Sequence, residues 1–322
     1  MQQLDFTGQV VVVTGAGGAL GTAFCRQLAR RGAAILANDL GGSTTGSGAS
    51  TDYADAIVRE IVAEGGRAVA NYDTVATAAG GQAMIDAALS AFGRVDAVIS
   101  NAGNQRNGPF GELSEEDVEA VYAVHAKGAF NVCQPAYREM VRQGYGRIVL
   151  VSSQSGMFGN PIRANYGSAK TALVGLMNVI AQEAPAGVAV NTLFPNAAGG
   201  RLGGTPLAER PDQAFLKAAG ERSRHYAPGM HPDFVAALAV YMASRECATS
   251  QNMYSVLGGK FSRIFIGLTE GWYTPSETAP SAEEVMAHIA QIDDRTRYDV
   301  PLSGIDEMDT VLAARRAIGL SG

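Results

Sequence analysis

The stretch Val10-Val11-Val12-Val13-Thr14-Gly15-Ala16-Gly17-Gly18-Ala19-Leu20-Gly21 decides how this chain is read. Four β-branched residues in a row suit a strand buried on both faces, as in a parallel sheet, and the glycines that follow make a tight turn. Leu20, Phe24 and Leu28 then recur at helical spacing, and a second apolar run, Ala33 to Ala37, completes a βαβ unit within about 30 residues. Working outward, apolar runs at Ala68 to Asn71, Val95 to Ser100, Arg147 to Val151 and Val188 to Leu193 alternate with helical patterns such as Met84, Ala88, Phe92 and Leu173, Met177, Ile180. This alternation predicts a doubly wound parallel α/β sheet with helices on both faces.

After about Gly199 the rhythm breaks into sequence punctuated by Arg, Pro and Gly, ground on which substrate loops are often found. It resumes with a helix from Asp233 to Ser244 and an apolar stretch from Met253 to Leu257. Ser281-Ala282-Glu283-Glu284 has the ends of a capping box and opens a helical pattern, and a last helix is expected around Met308 to Ile318. We therefore expect one sheet domain over residues 1–260 and a C-terminal helical extension over residues 261–322 packed on it.

Of the 322 residues, 47% are hydrophobic and only 17% charged, which excludes global disorder and argues for a well-buried core. The net charge of -6 gives no attraction to nucleic acid or anionic lipid. Cys25, Cys133 and Cys247 are far apart and lack zinc-ligand spacing, so no metal site and a reduced compartment are expected. With no leader-like start, organelle address or long apolar span, the expectation is a soluble cytoplasmic protein with no membrane partner.

The turn itself predicts a ligand. A glycine turn running into a helix presents unpaired N–H groups to a pyrophosphate, and Gly15, Gly18 and Gly21 would face it. The strict G-x-G-x-x-G pattern fails at Leu20, whereas T-G-x-x-x-[GA]-x-G fits. Asp39 ends the second strand 18 residues after Gly21, close to where an acid meets the adenosine ribose. A carboxylate about 4 Å from a 2′-phosphate is repelled by roughly 4 kcal/mol per charge pair, which favours NAD over NADP. The Gly- and Ser-rich segment 41–50 is either a solvated loop or a flap folding over the cofactor.

Ser153 follows the strand ending at Val151, and Tyr166 and Lys170 stand one helical turn apart on the next helix. An ammonium beside a phenol would bring its pKa toward neutrality, as acid/base work requires, and Ser153 could hydrogen-bond the substrate oxygen.

With Thr14 to Gly21, Asn101-Ala102-Gly103, Ser153, Tyr166, Lys170 and the Pro195 turn in this order, the chain resembles the short-chain dehydrogenases/reductases over residues 6 to 260. The resemblance implies a Rossmann-type fold, Tyr166 exchanging a proton with substrate, Lys170 lowering its pKa and holding the nicotinamide ribose, and Ser153 orienting substrate. Asn101, Ala102 and Gly103 would border the cofactor. The segments Asn38 to Gly42, Ala68 to Val75, Val124 to Gly128, Tyr145 to Ile148, Gly159 to Tyr166 and Pro195 to Ala197, with the glycine-rich insert and the tail near Thr274 to Asp294, further resemble the (3R)-hydroxyacyl-CoA dehydrogenase units of peroxisomal multifunctional enzymes type 2. That narrower likeness places Asp73, Thr74 and Val75 by the adenine, Leu20 by the pyrophosphate, and Pro195 and Ala197 to Gly200 toward the nicotinamide. It implies an acyl-CoA substrate, and family likeness implies a homodimer or homotetramer; we expect no room in this chain for the hydratase and carrier domains that follow the unit in the multifunctional enzymes. His125 is either a satisfied core residue or part of a proton route. Arg163, Arg201, Lys260 and Arg263 are either solvated or contacts for CoA phosphates. The expected reaction is NAD-dependent oxidation of a 3-hydroxyacyl-CoA. The rivals are a free hydroxysteroid or other apolar alcohol as substrate and, more remotely, a non-catalytic NAD-binding regulator.

Overall fold

Ala34–Asn38 (β2), Val10–Thr14 (β1), Ala97–Ser100 (β4) and Gly146–Val151 (β5) lie side by side, and nearly every residue in them is buried. The computed structural model describes residues 3–198, 212–275 and 279–319. Arg67–Asn71 (β3), Val188–Asn196 (β6), Met253–Leu257 (β7) and Lys260–Ile264 (β8) complete an eight-stranded sheet in the order β3-β2-β1-β4-β5-β6-β7-β8. The pairings from β3 across to β7 are all parallel. The strand order reverses between β1 and β4, and in such sheets the crevice at the carboxyl ends beside that switch receives ligands.

The expected elements are present: Ala19–Ala29 (α1), Ala78–Phe92 (α3), Ala164–Glu183 (α7) and Pro232–Ala243 (α9) flank the sheet. Phe24 and Leu28 of α1, Val235, Ala239 and Val240 of α9 and the β1, β2 and β5 side chains form one apolar cluster. Each fully buried Val, Leu or Phe contributes about 1.5–3 kcal/mol. The sequence reading did not single out Asp52–Ala63 (α2), Glu115–Tyr122 (α4), Gly128–Gln143 (α5), Gln154–Phe158 (α6) or Gln213–Ser223 (α8). Between α4 and α5 the backbone winds as a π-helix over Ala123–Lys127.

The chain divides into two compact units, Met1–Arg263 and Ile264–Gly322. The second holds Leu268–Thr269 (β9) paired antiparallel with Tyr298–Asp299 (β10), and the helices Ala282–Ile292 (α10) and Gly304–Ala317 (α11). The anticipated capping box forms, with Ser281 and Glu284 exchanging hydrogen bonds at the start of α10. Trp272 stacks flat on His288 of α10, centroids 4.0 Å apart, and the Tyr273 hydroxyl accepts from Arg315 of α11. Among the described residues no helix is long and apolar enough to cross a membrane, and no cluster of His, Cys, Asp or Glu could hold a metal ion.

Candidate active site

The glycine turn after β1 is built around contacts that exclude side chains. Gly15 takes φ 65°, and a Cβ on Gly21 would fall 2.0 Å from the Gly15 carbonyl oxygen. Gly18 caps α1 without any side-chain hydrogen bond, so the first turn of that helix opens toward the crevice. Asp39 closes the turn from β2: one carboxylate oxygen accepts from Gly17 N–H at 2.9 Å and the other from Gly41 N–H at 2.8 Å. From β4, the Asn101 amide donates to the carbonyls of Thr14 (3.0 Å) and Gly15 (3.2 Å), while the Thr14 hydroxyl accepts from Asn101 and Ala102 N–H. Asn101 thus braces the turn as well as lining the crevice.

The 41–50 segment is a strap. Thr44 O accepts from Gln105 N–H at 2.8 Å and Thr45 O from Arg106 Nε at 3.1 Å, so the end of β2 is tied to the loop after β4. Gly42, Ser43, Thr44 and Gly46 line the crevice beneath it, positions that composition alone does not mark as part of a site. Arg106 also pairs with Glu116 and Asp117, and its carbonyl accepts from the Asn165 amide next to Tyr166.

At the other end, Ser153 leaves β5 in an extended conformation and caps α6, its hydroxyl accepting from Ser155 N–H. Tyr166 and Lys170 share one side of α7. The Lys170 ammonium donates to Val151 O at 2.6 Å and lies 5.8 Å from the Tyr166 ring centroid. Burial brings the Lys170 pKa down to about 7. Burial also pushes the Tyr166 phenol above its usual range, against which the Ser153 hydroxyl and the Arg163 charge favour the phenolate.

His125 sits in the π-helix, buried, its ring edge-on to Tyr166 with centroids 5.1 Å apart. Its Nε2 is 2.8 Å from Asn104 O, its Nδ1 has no partner, and burial holds its pKa well below the ordinary histidine value. Gly103 leaves room for that ring, because a Cβ there would lie 2.6 Å from His125 Cε1. The turn into α7 is strained: Ile162 adopts φ 59°, which for a β-branched residue costs about 1–3 kcal/mol.

The two ends border one crevice of about 420 Å³. It brings together Gly15, Gly18, Leu20, Asp39, Asp73, Thr74, Val75, Asn101, Ala102, Gly103, Ser153, Tyr166, Lys170, Pro195 and Ala197. Gly21 lies behind the turn, and His125, Asn160 and Arg163 are added to the lining. Lys260 and Arg263 do not line it, and Gly199, Gly200 and Arg201 fall outside the described residues. A lining that joins the bare backbone of the glycine turn to the titratable side chains of β5 and α7 fits a dinucleotide. Gly15, Gly18 and Leu20 would hold its pyrophosphate and Asp39 its ribose.

Comparison with known proteins agrees with this geometry. The sequence pattern of the short chain dehydrogenases matches residues 9–202. The chain is 36% identical over 97% of its length to peroxisomal multifunctional enzyme A of Dictyostelium discoideum, spanning 66% of that protein. It is 37% identical over 88% of its length to peroxisomal multifunctional enzyme type 2 of Mus musculus, of which it spans 36%. A solved short chain dehydrogenase from Mycobacterium avium superposes with a TM-score of 0.74 at 30% identity, covering 93% of this chain and 99% of that one. The Rossmann fold of this family binds NAD(P). The chain belongs to the short-chain dehydrogenases and is an oxidoreductase of that family.

Proposed function

We propose that the protein oxidises the secondary alcohol of a (3R)-3-hydroxyacyl-CoA to the 3-oxoacyl-CoA with NAD. One observation carries the reading: Ser153, Tyr166 and Lys170 open into the same crevice as the glycine turn and Asp39. The cofactor, when bound, supplies the hydride acceptor. Tyr166 accepts the hydroxyl proton, Ser153 donates a hydrogen bond to the substrate oxygen, and Lys170, held by Val151 O, positions its charge beneath the phenol and toward the cofactor ribose. Asp39, at the end of β2 and tied to two backbone N–H groups, presents negative charge where NADP would carry its extra phosphate, which supports NAD. The acyl-CoA substrate is supported by the two multifunctional-enzyme relatives.

The test is reduction of NAD and of NADP measured across (3R)- and (3S)-3-hydroxyacyl-CoA esters of several lengths, beside a free hydroxysteroid. Turnover of the (3R)-esters with NAD, exceeding that with NADP by about tenfold or more, is expected. Preference for the free steroid, or for NADP, would overturn the corresponding part of the reading.

A further inference from the structure

Tyr166 and Ser153 account for the oxygen that reacts but leave the rest of a substrate without a partner. The turn entering α7 supplies one. Ile162 is held in the left-handed region, with its carbonyl accepting from Gly108 N–H at 3.0 Å, and Arg163 follows at the capping position of the helix. Three positions separate Arg163 from Tyr166, which puts both on one side of α7. Arg163 lines the crevice with Ser153, Gln154, Asn160 and Tyr166.

Among the described residues the Arg163 guanidinium makes no ion pair and no hydrogen bond, whereas Lys170, the other cation in the crevice, is engaged by Val151 O. The two acids in the lining are tied elsewhere, Asp39 to Gly17 and Gly41 and Asp73 to the Asn71 amide. A strained backbone that places an uncompensated guanidinium beside the reacting position has the character of a ligand contact. Arg163 stands one helical turn from Tyr166 and lines the same crevice, whereas the phosphates of a CoA lie many bonds from the reacting carbon.

We propose that Arg163 sets substrate specificity by donating to the acyl carbonyl oxygen two carbons from the reacting alcohol. The crevice would then select β-hydroxyacyl substrates over alcohols that lack this acceptor. Tyr166 and Arg163, on one side of one helix, would span the 1,3-related oxygens. No bond to Arg163 forms or breaks. The inference rests on the dehydrogenase reading above and deepens it.

The test compares wild type with Arg163→Gln on three alcohols: 3-hydroxybutanoyl-CoA, its N-acetylcysteamine thioester, which has no phosphate, and 2-pentanol, which has no carbonyl. Loss of one charged hydrogen bond should lower kcat/KM for both thioesters by about 10- to 100-fold. For 2-pentanol the fall should be only about 2- to 3-fold, through the phenol, with the pH profile moved upward on every substrate. Calorimetry should show weaker binding of an acetoacetyl thioester to the variant. Equal losses on all three would assign Arg163 to the phenol alone, a loss confined to the CoA ester would assign it to a phosphate, and no loss would leave it a surface group. Each of these overturns the proposal. Wild-type turnover of none of the three would overturn the dehydrogenase reading itself.

Discussion

The two ends of the crevice are built from different material. Where β1 and β2 finish, the surface is main chain: Gly21 packs against the Gly15 carbonyl, Gly15 against the Ala102 backbone, and Asp39 is clamped by two backbone N–H groups. Where β5 and α7 meet, it is side chain, with Ser153, Tyr166, Lys170, Arg163 and His125 carrying dipoles or charge. A wall of backbone cannot be altered without altering the fold, whereas a wall of side chains can lose its chemistry and keep its shape.

The sharpest way to break that contrast is Tyr166→Phe. Turnover should fall by about 10³-fold or more while the melting temperature and NAD affinity stay near wild type. Activity within tenfold of wild type would remove the phenol from its role. Gly21→Ala, at the opposite end, should do the reverse. Its Cβ would meet Gly15 O at 2.0 Å, so the unfolding free energy should drop by about 3 kcal/mol and NAD binding should be lost with it. A stable variant with weak binding alone would show the turn to be more pliant than its packing implies.

The smallest effect is expected from Lys170→Met, read as stability. A buried amine with a pKa near 7, against about 10.4 in the unfolded chain, destabilises the fold fully below about pH 7 and progressively less up to about pH 10. The variant, although inactive, should therefore be more stable than wild type at pH 7 by about 1–2 kcal/mol, after the lost bond to Val151 O is allowed for. The advantage should shrink as pH rises. An advantage that grew with pH would mean that the ammonium is stabilised in place.

The backbone-built end was the more legible in sequence. Strands β1 and β2, the glycine turn and Asp39 follow from local pattern, because β-branched runs, glycines and a strand-end acid are written consecutively. The i, i+4 spacing likewise placed Tyr166 and Lys170 on one helix face. Nothing local foretold the left-handed Ile162, since a β-branched residue at φ 59° runs against its own preference and is held by a contact with Gly108 from a distant loop. The π-helix around His125 and the strap bonds from Thr44 and Thr45 to residues 105 and 106 are also long-range results of packing. The engagement of Lys170 by Val151 O belongs with them.

The flat pairing of Trp272 with His288 has a practical consequence. Because this is the chain's one tryptophan, its ultraviolet emission comes wholly from the Ile264–Gly322 unit. Denaturation followed by that emission therefore watches the unit's own melting. Far-ultraviolet circular dichroism, dominated by the larger sheet unit, supplies an independent trace, and the separation of the two midpoints measures how far the units unfold as one.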